Sequence, residues 1–408
     1  MTSTGPLSHL KVLDLSRILA GPWAGQLLGD YGADVLKIER PGVGDDTRGW
    51  GPPYVRDAAG NDTSDAAYYL CTNRNKRSVT VDFTREEGQR LVQQLAAQSD
   101  VLIENFKVGG LAAYGLDQAS LRAEKKGLIY CSITGFGQSG PYAARAGYDF
   151  LIQGMGGLMS VTGRQDGEPG AGPQKVGVAL TDVLTGLYAT TAILAALAHR
   201  ERTGEGQHID LALLDVQVAS LANQTMNYLA SGQAPVRTGN AHPNVVPYQD
   251  FPTADGDMIL AVGNDGQFAR LCAAIGTPEL AADPRYATNG ARVAHRDTLI
   301  PVLSAATRQR TTAEWIALLE ARAVPCGPIN NLAQVFADPH IKAHGVQFAM
   351  EREGAEVQLV ANPVRMSQTP VSYRLAPPTL GADTRAVLQE RLGLSAAEID
   401  ALAASGVI

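Results

Sequence analysis

Apolar residues follow two rhythms along the first third of the chain. Residues 11–15, Asp34–Glu39, 78–83, 101–103 and 128–131 are short, apolar-rich segments of strand length. Between them apolar side chains recur at helical spacing. One such stretch, residues 21–31, is closed by Gly32; a second runs from Thr84 to about Ala97, with Glu86 and Glu87 in the first turn, where a helix dipole favours negative charge. Apolar strands alternating with amphipathic helices predict a mostly parallel sheet covered on both faces, an α/β domain.

The pattern then loosens. Residues 134–174 hold Gly135, Gly137, Gly140, Gly147, Gly154, Gly156 and Gly157, which lets backbone approach a ligand or lets a long connection turn. A helix is expected from Asp182 to about Arg202, stopping at Thr203-Gly204, with His199, Arg200 and Arg202 at the end that favours cations. A strand over 207–213 and a helix over 215–229 follow. Composition changes between Ser231 and Tyr248, the expected crossing into a second lobe with a strand at 258–262 and helices at 267–275 and 312–323. From Val346 short strands return, then helices at 386–392 and 396–404.

With 408 residues, 45% of them hydrophobic, the chain exceeds one comfortable core, so two lobes are expected. A net charge of −7 argues against a nucleic-acid partner. No uninterrupted apolar run reaches membrane-spanning length, so no membrane partner is expected, and residues 1–6 lack a signal-peptide layout. Cys71, Cys131, Cys272 and Cys326 are scattered, with no zinc-ligand spacing and no metal expected, which suits a reducing cytoplasm.

Several motifs fail. The first strand–helix–strand unit invites a dinucleotide, and Glu39 ends its second strand where a ribose hydroxyl would want an acceptor. Yet its turn reads Leu19-Ala20-Gly21-Pro22-Trp23-Ala24-Gly25, not GxGxxG, and Pro22 removes an N–H that a pyrophosphate would use. There is no GxSxG, Walker A or HExxH motif. What stands out instead is a set of basic groups near strand ends: Arg40 after Glu39, the cluster Asn73-Arg74-Asn75-Lys76-Arg77, and Lys107 after Glu104-Asn105-Phe106. Open α/β sheets bind ligands there, so these groups can hold several phosphates, or they form a solvated face of ion pairs. Trp50 and Phe106 can cover an adenine or be core aromatics. Asp182, before the apolar run 183–189, is either a helix cap or a nucleophile in a dry cleft.

These stretches, in this order, resemble family III coenzyme A transferases over essentially the whole chain. The resemblance is carried by residues 13–15 with 19–22, 32–40, 73–77, 104–106, Gly147-Tyr148-Asp149, Thr181-Asp182 with Gly186, and 202–207. It implies that Asp182 is a covalent nucleophile, and that Ile18, Ala20, Arg40, Asn105 and Phe106 bind coenzyme A, which enters as a substrate and not as a permanently bound cofactor. It also implies a large Rossmann-like domain built from both chain ends (1–230 and 331–408), a smaller middle α/β domain (231–330), and a homodimer of interlocked chains. Leu19 stands where oxalate-specific members carry glutamine, the tetraglycine loop is missing, and Phe136 replaces an active-site tyrosine. Ala113 replaces an arginine that touches phosphate, so Arg74, Lys76 or Lys107 are expected to carry more of that task. Residues 45–53, 241–248 and 324–330 are similar to the dicarboxylate-handling branch, with succinyl-CoA as expected donor. A remote carboxylate wants a fixed cation or several donors. Arg48 and His242, with Tyr148, are the candidates; Arg48 can equally be a surface arginine and His242 a structural histidine.

An aspartate with an ordinary pKa of about 3.9 is ionised at neutral pH and can attack a thioester without a separate base. The glycine-rich loop would exclude water and supply N–H groups for the oxyanion. Two other readings remain at this level: an acyl-CoA racemase, whose histidine aligns with Tyr148, a poor base at neutral pH, and a non-catalytic CoA-binding protein.

Overall fold

The computed structural model describes residues 5–408. Most of the segment read as lacking a leader, Met1 to Thr4, lies outside that range. The chain divides into two compact units. One takes the chain up to Leu158 together with Val176–Thr225 and Lys342–Ile408; the other takes Met159–Lys175 and Met226–Ile341. The borders expected at 230/231 and 330/331 therefore fall at 225/226 and 341/342, and part of the glycine-rich loop joins the second unit.

The first unit is built on six strands: β1 (Lys11–Asp14), β2 (Asp34–Glu39), β3 (Lys76–Thr80), β4 (Val101–Glu104), β5 (Ile129–Thr134) and β6 (His208–Ala212). They lie in the order β3-β2-β1-β4-β5-β6, and every neighbouring pair is parallel. The strand order reverses between β1 and β4, and in open α/β sheets ligands bind beyond the carboxyl ends at that point.

The alternation of side chains along each strand feeds two separate cores. Leu13, Leu36, Val79 and Leu102 face one layer. It includes Leu91 and Leu95 of a helix (Glu86–Ala97) and, from the chain's far end, Val387, Leu388, Ile399 and Val407. Val12, Val35, Ile103 and Ile129 face the opposite layer, with Ala24 and Leu28 of α1 (Ala20–Asp30) and with Ala189, Ile193 and Ala196 of α2 (Leu180–Thr203).

Helix α2 spans 24 residues and is long and apolar enough to cross a bilayer by length and composition alone, which corrects the expectation that no segment reaches that length. Its apolar face is nevertheless a core face of the sheet layer. Its threonines blend in because Thr190 and Thr191 donate to the carbonyls of Gly186 and Leu187. A Cβ on Gly186 would sit 2.8 Å from the Ala20 carbonyl oxygen and 2.9 Å from Trp23 Cβ, so the absent side chain is what lets α1 and α2 approach.

Two expectations shift. Strand β3 begins at Lys76 and not at Ser78, with Val35 opposite Lys76 and Glu39 opposite Thr80. The charge of Lys76 is no bar to a buried strand, because its ammonium is neutralised by Asp14 at 2.8 Å. The helix expected over 215–229 is two helices, Leu213–Ser220 and Asn223–Ser231, interrupted where Ala222 takes φ 47°.

The second unit holds a three-stranded antiparallel sheet of Tyr248–Pro252, Asp257–Ala261 and Cys326–Pro328. Phe251, Met258, Leu260, Phe268, Leu271, Trp315 and Leu319 form its core.

Candidate active site

A cavity of about 710 Å³ opens at the carboxyl ends of the parallel strands of the first unit. Ile18 and Ala20 after β1, Arg40 after β2, and Asn105, Phe106 and Lys107 after β4 line it, together with Tyr148 and Asp182. Residues separated by up to 164 positions in the chain thus share one space.

The lip is held from behind. Asn105 Oδ1 accepts the Arg17 N–H at 2.9 Å and its Nδ2 donates to the Arg17 carbonyl at 2.7 Å, tying the ends of β4 and β1 together. Ile18 sits at φ 74°, a costly conformation for a β-branched residue. Its N–H donates to both Asp45 carboxylate oxygens, at 3.2 and 3.3 Å. Asp45 is itself clamped by Lys37 at 2.8 Å and by Thr47. Burial works to raise the Asp45 pKa, but Lys37 and the Thr47 bonds outweigh it and bring it down to about 2. The strain at Ile18 is therefore held by a fixed negative charge. Phe106 is half-buried, edge-on to Phe83 at 5.7 Å, with the Arg17 guanidinium 5.5 Å from its ring centre. Trp50 is not part of the cavity lining; it packs edge-on to Tyr68 at 5.4 Å.

Asp182 is the third residue of α2, where both cap and nucleophile readings had placed it near the helix start. The capping task belongs to another residue. Asp149 Oδ1 accepts the Thr181 N–H at 2.9 Å and the Asp182 N–H at 3.4 Å, while Oδ2 accepts from Gln153 at 2.7 Å. Among the described residues no hydrogen bond reaches the Asp182 carboxylate, which leaves it free to face the cavity. Burial first, and the Asp149 charge second, push its pKa up to about 7. The expectation of an ordinary aspartate, fully ionised at neutral pH, is corrected accordingly.

Three basic candidates point away from the cavity. Arg48 is 4% exposed. Its Nε and Nη2 donate to Glu39 at 2.8 and 2.7 Å, its Nη1 to Asp65 at 2.8 Å, and its plane lies 3.7 Å from the centre of the Tyr69 ring. A guanidinium so fully engaged has no fork left for a substrate carboxylate. Lys76 Nζ spends its three donors on Asp14, the Pro22 carbonyl and Asn73. Burial brings its pKa down to about 8 against the pull of Asp14. Arg74 is forked onto Asp30 at 2.9 and 2.6 Å and also donates to the Val360 carbonyl. Neither is available to a phosphate. His242 belongs to the second unit, where its Nδ1 accepts the Asn244 N–H at 3.0 Å and its ring meets Tyr248 edge-on.

The structure also adds residues. Arg145 lines the cavity, and a signal for it existed: it is the one arginine between Gly135 and Tyr148. Its loop lies against the end of β5 because Gly135 and Gly147 touch backbone to backbone; a Cβ on Gly135 would lie 2.6 Å from Gly147 Cα. Asp149 stood within a recognised motif, but its action on Thr181 and Asp182 spans 32 and 33 residues and has no local signature.

The arrangement combines a carboxylate that accepts no hydrogen bond among the described residues with several cations around one cavity at the switch point of a doubly wound sheet. A profile described as CoA-transferase family III matches residues 7–384. The chain is 55% identical to a succinate–glutarate CoA-transferase of Agrobacterium fabrum over 386 residues, covering 94% of this chain and 95% of that protein. It is 44% identical to a succinyl-CoA:glutarate CoA-transferase of Mus musculus, covering 100% of this chain and 91% of that one. The crystal structure of a CAIB/BAIF family protein from Brucella suis superposes with a TM-score of 0.83 at 52% identity, over 95% of this chain and 100% of that one. Fold, cavity and likeness across nearly the full length agree, and the chain belongs to CoA-transferase family III.

Proposed function

We propose that this protein moves coenzyme A from succinyl-CoA to glutarate or a dicarboxylate of similar size, with Asp182 as the covalent nucleophile. The observation that carries the reading is the Asp182 carboxylate, which accepts no hydrogen bond among the described residues, in the same cavity as the strand-end residues Ile18, Ala20, Arg40, Asn105, Phe106 and Lys107. Two relatives named for this substrate pair support the choice of acids.

In the first step an Asp182 oxygen attacks the thioester carbonyl; the carbon–sulfur bond breaks, CoA leaves as thiolate, and a mixed anhydride remains. The thiolate then attacks the aspartyl carbonyl, releasing the donor as its carboxylate and leaving an aspartyl-CoA thioester. The acceptor carboxylate attacks that carbonyl and expels the thiolate. The thiolate takes the acceptor's acyl group, and the Asp182 carboxylate returns. No proton is gained or lost across the cycle, so the pocket needs no general base, only exclusion of water from the anhydride. CoA is a substrate throughout, with Arg40 and Lys107 available to its phosphates.

An interlocked homodimer in the cytoplasm completes the reading. Exposed apolar side chains in the first unit, among them Tyr148, Phe150, Leu187 and Tyr188, support an assembly, and four free cysteines suit a reducing compartment. Light scattering checks the first point: a monomer at micromolar concentration would remove it. Tyr148 and His242 stay as candidate substrate contacts, Tyr148 because it lines the cavity.

The mechanism is tested by trapping. Incubation with succinyl-CoA, then hydroxylamine, should convert Asp182 to a hydroxamate visible by peptide mass spectrometry. Turnover with no modification at Asp182 would rule out the covalent route.

A further inference from the structure

Five cations line the cavity, and two are already answered: Arg17 by Asp46 at 2.9 Å and Lys37 by Asp45. Arg40, Lys107 and Arg145 make no ion pair among the described residues. Arg40 and Lys107 follow β2 and β4, and Phe106, the neighbour of Lys107, packs on the apolar layer that holds the chain's C-terminal helices.

Arg145 is placed differently. Its guanidinium lies 4.6 Å from the ring centre of Tyr142 and 5.2 Å from that of Phe136. Phe136 packs on the opposite layer, the one built from α1 and α2. Asp182 starts that same α2. Four residues after Arg145, Asp149 holds the N–H groups of Thr181 and Asp182. The Gly135–Gly147 backbone contact fixes the loop between them onto the end of β5. Arg145 therefore stands on the acyl side of the cavity, and the two other unpaired cations stand on the nucleotide side.

We infer that Arg145 receives the remote carboxylate of the dicarboxyl group and so sets the preference for dicarboxylates over monocarboxylates. This rests on the dicarboxylate transfer proposed above. Two aromatic rings set at 70° to each other hold the guanidinium, whose Nη2 meets, among the described residues, only the Met155 sulfur at 3.9 Å, a weak acceptor that an oxyanion would displace. A carboxylate bound there enters a charge-assisted pair that a terminal methyl group cannot make.

The test compares glutarate with pentanoate, which has the same number of carbons and one carboxylate, as acceptors with succinyl-CoA as donor. In a double-displacement reaction the ratio of their kcat/KM values does not depend on the donor. Arg145→Met should lower the glutarate-to-pentanoate ratio by on the order of 10- to 100-fold, with free-CoA affinity unchanged. Arg145→Lys keeps the charge and loses the fork, and should fall between. An unchanged ratio in both variants would overturn the inference. So would an equal loss on both acids accompanied by weaker CoA binding, which would make Arg145 a nucleotide ligand. A wild-type enzyme that turns over pentanoate as well as glutarate would sink the dicarboxylate reading itself, whatever the variants do.

Discussion

The cations behind the sheet and those at its mouth are the same residue types in similar sequence settings, and they do opposite things. Arg48, Arg74 and Lys76 are buried and each has a carboxylate partner. Arg40, Lys107 and Arg145 line a cavity and have none among the described residues. Water decides the difference. A buried charge without a partner costs several kcal/mol, so the buried set must be satisfied internally and has nothing to offer a ligand. A cation at a solvated mouth tolerates vacancy and can wait for a phosphate or carboxylate. Position near a strand end does not separate the two sets; side-chain direction and partner count do.

The comparison can be broken at several points. The largest effect belongs to the cavity: Asp182→Asn should lower transfer by on the order of 10⁴-fold or more while free CoA still binds, measured by calorimetry. The same variant tests the raised pKa. The unfolded chain ionises this carboxyl near 3.8 and the folded chain near 7, so between those values the folded chain holds the extra proton and stability falls as pH rises. Removing the ionisation should raise Tm at pH 8 by about 2 °C, a gain that fades as pH drops toward 4.

Next comes the buried set. Arg48→Met takes the guanidinium away from buried Glu39 and leaves Asp65 to Arg352, and should cost about 3–5 kcal/mol in denaturant unfolding. If instead it left stability intact and weakened only dicarboxylate use, the division drawn here would be wrong. Lys107→Ala is the counterpart at the mouth. It should leave Tm within about 1 °C and weaken CoA by roughly tenfold, an effect that shrinks with added salt. The smallest effect is expected from Asp149→Asn, whose oxygen can still accept the Thr181 N–H but carries no charge. Asp149 is the charged neighbour that raises Asp182, and Tyr68 is the other titratable group facing it. The acidic limb of kcat/KM, expected near pH 7 in the wild type, should move down by about half a unit to one unit.

Much of the fold was legible because each half-buried or buried element carries its own rhythm. The limits of β2 and of the last helix, Ala396–Ala404, match the reading from pattern alone. Where pattern misled, a distant partner was the cause. Lys76 read as a polar lead-in to a strand, since nothing local announces that Asp14 will neutralise it 62 residues away. Arg48 read as a substrate ligand because a loop arginine looks free until Glu39, Asp65 and Tyr69 close around it. Asp182 stood out through its place before an apolar run, yet its acidity was invisible, because burial and Asp149 set it in three dimensions.

The bare contact between Gly135 and Gly147 has an implication for anyone wishing to redirect this enzyme toward other acids. The two positions work as a hinge pin without a sleeve: a methyl group on either would push the strand end and the returning loop apart, and Arg145, Tyr148 and Asp149 would be displaced with them. Libraries aimed at acceptor choice should therefore leave both glycines untouched and diversify the segment they bracket.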